Sequence, residues 1–197
     1  MKNLLASCFL LLSINGFSQG FMKGLAQRLS FGLEAGGNYS NFTNTDGQFT
    51  SDGLAGFHAG AIVDFRITKN LYFTEEFLFS TQGAKIKDDV FGRDNVKISY
   101  LSVPCLWQFQ TNLGIYIEAG VQTSLRLGDN LDKTTYSEFA KQLDMGVAGG
   151  IGYLSKAGLG VGVRYVGGMT KVAGFNWQNA QPNFRNSMAQ ASIFYIF

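Results

Sequence analysis

The sequence predicts an all-β protein, an eight-stranded antiparallel up-and-down transmembrane β-barrel that follows a cleaved N-terminal signal peptide. Three observations predict this fold. Apolar and polar residues alternate with period two, in segments near the roughly 10 residues that a tilted membrane strand needs. Charged residues fall almost entirely on one face of those segments. Short connections alternate with long ones, as on the two rims of an outer-membrane barrel.

The first element is an export signal over residues 1–18. A short basic start precedes an apolar run from Leu4 to Leu12, and small residues stand before the expected cleavage between Ser18 and Gln19. The run is far shorter than the ~20 residues of a membrane-spanning helix. The alternatives are a buried N-terminal helix and a lipoprotein box ending at Cys8, although most of the apolar run follows that cysteine.

Eight alternating segments follow in the barrel domain, residues 19–197. In the first, the odd positions from Leu29 to Tyr39 are apolar or small, and the residues between them are polar or glycine. The same alternation recurs in every later segment, and nothing after residue 20 approaches the roughly 18 apolar residues of a membrane helix. The segments span residues 29–39, 57–67, 71–82, 101–110, 115–127, 144–153, 159–165 and 188–197.

The charges indicate which face points inward. One face carries eight of them, and the apolar face carries only Glu75. An eight-stranded barrel is narrow enough for side chains to fill, so inward charges are expected to pair there. We expect a network around Arg66 and Arg164 near the short connections. Arg126 and Asp144 are expected to pair nearer the other mouth. The predicted lumen charges are Glu34, Asp64, Arg66, Glu76, Glu118, Arg126, Asp144 and Arg164.

The connections alternate in length along the chain. An export signal places the start of the barrel in the periplasm, which assigns the short turns to that side and the long loops to the outside. The short links are 68–70, 111–114 and 155–158, and the long polar links lie near 40–56, 84–97, 128–143 and 170–185.

Aromatic residues on the apolar face gather beside the short turns, which predicts a girdle at the periplasmic interface. The best candidates for the opposite girdle are Tyr39 and Phe57. The aromatic C-terminal strand also has the character of the signal that barrel-assembly machinery reads. The predicted periplasmic girdle consists of Phe65, Phe73, Trp107, Phe109, Tyr153, Tyr195 and Phe197.

Short motifs along the mature chain carry a resemblance. They are Glu76-Phe77-Leu78-Phe79-Ser80, Gly83-Ala84-Lys85, Tyr100-Leu101-Ser102-Val103-Pro104, Glu118-Ala119-Gly120, Arg164-Tyr165-Val166-Gly167-Gly168 and the aromatic terminus. With them the chain resembles the Bacteroidetes outer-membrane β-barrel family that includes PorT-like proteins. The resemblance implies a small barrel in the outer membrane of a Gram-negative bacterium, and PorT-like proteins serve a secretion system.

Composition leaves little room for catalysis or metal chemistry. The net charge is +2, which argues against nucleic-acid binding, and one His with two Cys nearly excludes a Cys/His zinc site. His58 could meet a serine in the lumen, but no pattern places one there, so we expect a hydrogen-bonded lumen residue. We predict no catalytic, cofactor or metal residue. The candidate serines are Ser30, Ser80, Ser124 and Ser192.

Three functions remain open from the sequence. The first is a non-enzymatic structural, adhesive or assembly barrel, and the alternatives are a small-solute pore and a barrel hydrolase or acyltransferase. A soluble sandwich, with the apolar face as its core, is the remaining reading. The expected partners are the lipid bilayer, lipopolysaccharide, barrel-assembly machinery, and a secretion component or lipoprotein. Acids on the long loops could bind Ca²⁺ weakly or be solvated: Asp46, Asp52, Asp88, Asp89, Asp94, Asp129 and Asp132.

Overall fold

A computed structural model describes residue 24 and residues 26–44, 50–88, 92–129, 143–170 and 184–197. The predicted signal segment, with its cleavage site between Ser18 and Gln19, lies outside this part of the chain. The described residues form eight strands that close into an antiparallel barrel in chain order, which confirms the predicted fold class. The strands are β1 (Leu29–Asn44), β2 (Thr50–Arg66), β3 (Leu71–Asp88), β4 (Gly92–Gln110), β5 (Ile115–Asp129), β6 (Leu143–Leu154), β7 (Leu159–Gly168) and β8 (Phe184–Ile196).

Closure comes from β1, which pairs with β2 on one side and with β8 on the other. Leu29 lies opposite Phe65, and Gly32 lies opposite Ile196. Every strand therefore has two hydrogen-bonded neighbours, and the barrel leaves no open sheet edge. A sheet that spans a membrane needs such closure, because the hydrocarbon core holds no water to hydrogen-bond a free N–H or C=O.

The three short turns form where the sequence predicts them. Gly114 and Gly158 have φ of +93° and +88°, a backbone conformation that side-chain-bearing residues rarely adopt. Each donates its N–H across its turn, Gly114 to Thr111 O and Gly158 to Ser155 O, both at 3.0 Å. These turns define the short-turn end of the barrel.

Strand length differs from the prediction on the other side. β1 to β4 contain 16, 17, 18 and 19 residues, whereas a membrane crossing needs only about 10. Much of the predicted links 40–56 and 84–97 is therefore strand. Beyond the bilayer neither face must be apolar, so the ladder continues there without the alternation that reveals it in sequence.

The excess length forms what we call the raised wall, residues 40–44, 50–56, 81–88 and 92–100. Eight extra residues of a tilted strand reach about 20 Å beyond the bilayer. Two irregularities in register lie within the wall or at its base, between Gly53 and His58 and between Ser99 and Tyr100. Such bulges bend a strand and increase its twist. β5 to β8 are shorter, at 10 to 15 residues, so the wall stands on one side of the barrel.

The two faces of the sheet have opposite chemistry. Outward side chains such as Leu33 and Val163 are 58% and 56% exposed, whereas inward Glu76 is 2% exposed. Water would favour the reverse arrangement, and a hydrocarbon surrounding favours this one. No helix among the described residues is long and apolar enough to cross a membrane.

The lumen contains an apolar layer between two polar ones. Leu106, Ala148, Val166 and Met188 are buried against one another inside the barrel. On the short-turn side lies a layer of acids with Arg164, and on the opposite side lies a layer of amides and hydroxyls. Side chains therefore fill most of the interior, which leaves cavities of only about 20 and 10 Å³ in the two polar layers.

A charge on the outward face tests the orientation of the sheet. Val163→Arg, near the middle of β7, should lower the free energy of unfolding by about 2–4 kcal/mol, because it puts an uncompensated cation into hydrocarbon. The matched control, Leu159→Arg at the start of the same strand, should cost at most about 1 kcal/mol. Urea unfolding in lipid vesicles measures both. Equal losses would contradict the assignment of this face to lipid.

Candidate functional site

An ionic centre crosses the lumen on the short-turn side. Arg164 on β7 donates from Nη1 and Nη2 to the two carboxylate oxygens of Glu76 on β3, each at 2.6 Å. Its Nε donates to Glu118 Oε1 on β5, also at 2.6 Å. The planar guanidinium suits this paired geometry, and both carboxylates are buried. Three strands that are not neighbours in the sheet, β3, β5 and β7, are thereby linked across the lumen.

Glycine leaves the room for this centre. Gly150 lies opposite both Glu118 and Arg164 in the β-ladder. A Cβ at Gly150 would stand 2.6 Å from Glu118 Oε1, so any side chain there would displace the carboxylate. Inward-facing glycine and long inward charges therefore belong to one arrangement.

His58 forms a second cluster beside the ionic centre. Its Nε2 lies 2.8 Å from Ser192 Oγ and 3.2 Å from Glu34 Oε1. Its Nδ1 lies 2.5 Å from Asn38 Oδ1. Of the four serines that the sequence offers as partners of His58, the structure selects Ser192. The Ser–His–Asn order has the shape of a hydrolase triad.

The burial of His58 and the carboxylate of Glu34 beside its Nε2 argue against that role. Asn38 Nδ2 donates to the carbonyl oxygens of Phe57 and Thr81, which fixes Oδ1 as the acceptor that faces His58 Nδ1. His58 Nε2, the nitrogen that would have to take the Ser192 proton, lies within hydrogen-bond distance of Glu34 Oε1 as well as of Ser192 Oγ. A general base needs its lone pair directed at the nucleophile. His58 also has 1% of its surface exposed, so no substrate reaches it.

The remaining space in this layer is small. A cavity of about 20 Å³ is bounded by both polar clusters and by Tyr116 and Phe194. That is about the room one water molecule needs. Among the described residues no group of three or more His, Cys, Asp or Glu side chains is arranged to hold a metal ion.

A closed eight-stranded barrel with a charged interior and an apolar exterior is the architecture of a small outer-membrane protein. The family model for the outer membrane protein beta-barrel domain matches residues 17–174. The chain belongs to this family. Its place is the outer membrane of a Gram-negative bacterium, with the outward face of the barrel in the lipid bilayer.

Solved barrels share the fold at low sequence identity. Neisserial surface protein A is 18% identical with a TM-score of 0.53, over 85% of this chain and 97% of its own. Ail of Yersinia pestis, in complex with the heparin analogue sucrose octasulfate, is 11% identical with a TM-score of 0.53, over 86% and 99%. OprG of Pseudomonas aeruginosa is 14% identical with a TM-score of 0.50, over 84% and 95%. No curated protein sequence matches the chain.

One of the predicted arginines lies elsewhere than expected. Arg66 is exposed at the end of β2 and takes no part in the Arg164 cluster. Alternation points the side chain of Arg66 inward. The strand ends at this residue, however, so the side chain lies at the short-turn rim of the barrel. Asp144, which was expected to pair with Arg126, accepts a hydrogen bond from Thr170 Oγ1.

The other predicted lumen charges point inward. Asp64 is buried and accepts a 2.6 Å hydrogen bond from Thr74 Oγ1. Glu34 is buried beside His58. Together with the ionic centre, these contacts place the acids of the short-turn side in one polar layer. The hydroxyl partners were not predicted, because a threonine in an alternating strand carries no sign of which acid it will meet.

The aromatic residues predicted for the periplasmic girdle lie on the outward face at the short-turn end. Phe73 and Trp107 pack edge to face with ring centres 5.3 Å apart, and Tyr195 and Phe197 do so at 5.5 Å. At the opposite interface the structure adds Phe79, whose ring lies 5.9 Å from that of Phe57. The amphipathic rings of such a band suit the depth of the lipid headgroups.

A neutral network in the outer lumen was missed from the sequence. Asn38 Nδ2 and Gln82 Nε2 both donate to Ser80 Oγ, and Asn186 Nδ2 donates to Gln82 Oε1. On β5, across the lumen, Gln122 Nε2 donates to Ser124 Oγ at 3.2 Å. Amides on an inward face were the available signal, but they lack the charge that singled out the acids.

Removing the central cation tests the ionic centre. Arg164→Ala should lower the free energy of unfolding by about 3–5 kcal/mol, because Glu76 and Glu118 are left buried without their partner. Arg66→Ala, a loss of the same side chain at an exposed position, should change it by at most about 0.5 kcal/mol. Urea titration in detergent micelles measures both variants. A urea unfolding curve of Arg164→Ala that overlays the wild type would refute the role assigned to the centre.

Proposed function

We propose that the chain is a non-conducting, non-enzymatic barrel that anchors a surface for binding a partner. The observation that carries this proposal is the ionic centre, in which Arg164 joins β3, β5 and β7 across the lumen. Arg164 is held by three bonds of 2.6 Å across the lumen, and the cavity beside it has a volume of only about 20 Å³. The apolar layer of Leu106, Ala148, Val166 and Met188 fills the lumen at the next level.

The pore alternative is disfavoured by the same packing. A small-solute pore needs a continuous water-filled lumen, which larger barrels have and a side-chain-filled eight-stranded barrel lacks. The enzymatic alternative is disfavoured at His58, whose ring is buried and faces acceptors at both nitrogens. These arguments support a role that the outside of the barrel performs.

The raised wall supports a partner on the cell surface. β3 and β4 remain paired as far as Asp88 and Gly92, well beyond the length that a bilayer requires. Ail, a neighbour in fold only, is an attachment invasion locus protein that has been crystallised with a heparin analogue. An adhesive role therefore fits an ordered sheet that projects above the membrane.

A role in assembly or secretion, as in PorT-like proteins, is the second candidate. The motifs that carry that resemblance include Glu76, Glu118 and Arg164, which are the members of the ionic centre. Three of the motifs thus contribute residues that cross the lumen. Such residues speak for shared architecture more than for a shared partner, so the choice between the two roles rests on experiment.

Conductance tests whether the lumen is closed. The purified protein, reconstituted into a planar bilayer in concentrated KCl, should show no discrete conductance steps, because the packed lumen has no water-filled path. A general porin in the same bilayer is the positive control for insertion and recording. Stepwise conductance that scales with the amount of protein inserted would overturn the non-conducting assignment.

The raised wall can be shortened without opening the barrel. Ala84 pairs with Val96, so replacing residues 85–95 by Asn-Gly joins them with a two-residue hairpin turn. Affinity capture from membranes in mild detergent should recover a partner with the wild type and lose it with this variant. The matched control replaces only residues 89–91 by Gly-Ser-Gly and keeps both strands at full height. Capture that is unaffected by shortening would favour the periplasmic rim, and with it the secretion role.

A further inference from the structure

A second cavity lies in the outer polar layer of the lumen. It has a volume of about 10 Å³, space for one small occupant. Oxygen-bearing side chains from β3, β5, β6 and β8 line it, and no lysine, arginine or histidine in the described part of the chain does. The polar residues that line it are Gln82, Gln122, Ser124, Asp144 and Asn186.

Two of these side chains have a buried oxygen with no hydrogen-bond partner. They are Gln122 Oε1 and Asn186 Oδ1, on residues that are 3% and 6% exposed. The orientation of each amide follows from its nitrogen. Gln122 Nε2 donates to Ser124 Oγ, and Asn186 Nδ2 donates to Gln82 Oε1, which leaves the oxygens free. A buried acceptor left in this way lowers stability unless something unseen occupies the space beside it.

Asp144 adds a negative charge to the same cavity. Its carboxylate accepts a hydrogen bond from Thr170 Oγ1 and is also approached by the Asn186 side chain and the Met145 backbone N–H, and no ion pair of Asp144 occurs within the described ranges. Asp144 is 9% exposed, so its charge is largely withdrawn from water. A buried carboxylate without a cation is unfavourable. The cavity thus offers one uncompensated charge and two unsatisfied oxygens, all of them acceptors.

We propose that this outer-lumen cavity binds one hard cation of the Ca²⁺ class, with Asp144, Gln122 and Asn186 as ligands. Carboxylate and amide oxygens are the ligands that Ca²⁺ prefers. A water molecule has only two protons and no net charge, so it leaves the carboxylate uncompensated. Because one carboxylate is a weak charge complement, the expected dissociation constant is on the order of 10⁻⁴–10⁻³ M, typical of extracellular sites.

The site differs from the acids of the outer loops. It lies inside the barrel between paired strands, with Asp144 opposite Ser124 in the ladder. The apolar layer separates it from the ionic centre, because Val166 and Met188 border the cavity on that side. A cation here therefore acts on the outer part of the barrel without displacing Arg164.

Thermal unfolding tests the proposal. The full mature barrel is refolded in detergent micelles free of lipopolysaccharide, depleted of metal by a chelator, and melted with and without about 10 mM CaCl₂. Ligand that binds only the folded state should raise the unfolding temperature, here by about 3–5 °C. Asp144→Asn and Asn186→Leu should abolish this shift. Calorimetric titration with CaCl₂ should give one site per barrel in the wild type.

Gln122→Leu separates ligation from structural support. It removes an unsatisfied oxygen and keeps the volume of the side chain, so without Ca²⁺ the variant should be as stable as the wild type or more so. With Ca²⁺ it should lose most of the shift. Asp64→Asn is the matched control, because it removes the carboxylate of a similar acid–threonine pair in the other layer. It should keep the full shift.

Several results would overturn the proposal. One is an unfolding temperature of the wild type that does not respond to CaCl₂, which would assign the cavity to water. Another is a shift that persists in both Asp144→Asn and Gln122→Leu, which would assign the binding to loop acids. A third is an equal shift with choline chloride at matched ionic strength, which would reduce the effect to screening.

Discussion

The structure depends on the pairing of every strand with two neighbours. In hydrocarbon a free backbone N–H or C=O has no water to bond, so a sheet can cross only if it closes on itself. The pairing of β1 with β8 supplies that closure. Closure of only eight strands makes the interior narrow, and a narrow interior brings inward side chains from opposite walls into contact. The inverted distribution of charge and apolar surface follows from this single constraint.

The ionic centre is the electrostatic consequence of a narrow lumen. Arg164 could not be buried alone, and the two glutamates could not be buried without it. The bonds that compensate these charges also cross the lumen, so the groups that stabilise the barrel are the ones that obstruct it. The proposed closure of the lumen therefore depends on the same bonds that stabilise the barrel. A conducting barrel would have to compensate its interior charges without side chains that bridge the lumen.

The sequence predicted what alternation and charge can encode, namely the number of strands, their inward face and the short turns. The sequence did not predict features that depend on hydrogen bonding alone or on the position of a residue at the rim. The extra length of β3 and β4 carries no apolar face, because hydrogen bonding alone continues the ladder beyond the bilayer. Arg66 obeys the alternation but sits at the rim, where an inward direction no longer means burial. Gln122 and Asn186 lacked the charge that would have marked them as partners in the lumen.

The cluster at His58 shows why side-chain order alone does not define an enzyme. Ser192, His58 and Asn38 lie at hydrogen-bond distances from one another, in the spatial order of a hydrolase triad. Their surroundings reverse the chemistry, because Glu34 faces the nitrogen that would have to accept the serine proton. The same three side chains in a cleft, without that carboxylate, would form a base and a nucleophile. Inside a closed barrel they fill the lumen, and the partner-binding role that we propose uses the outer surface instead.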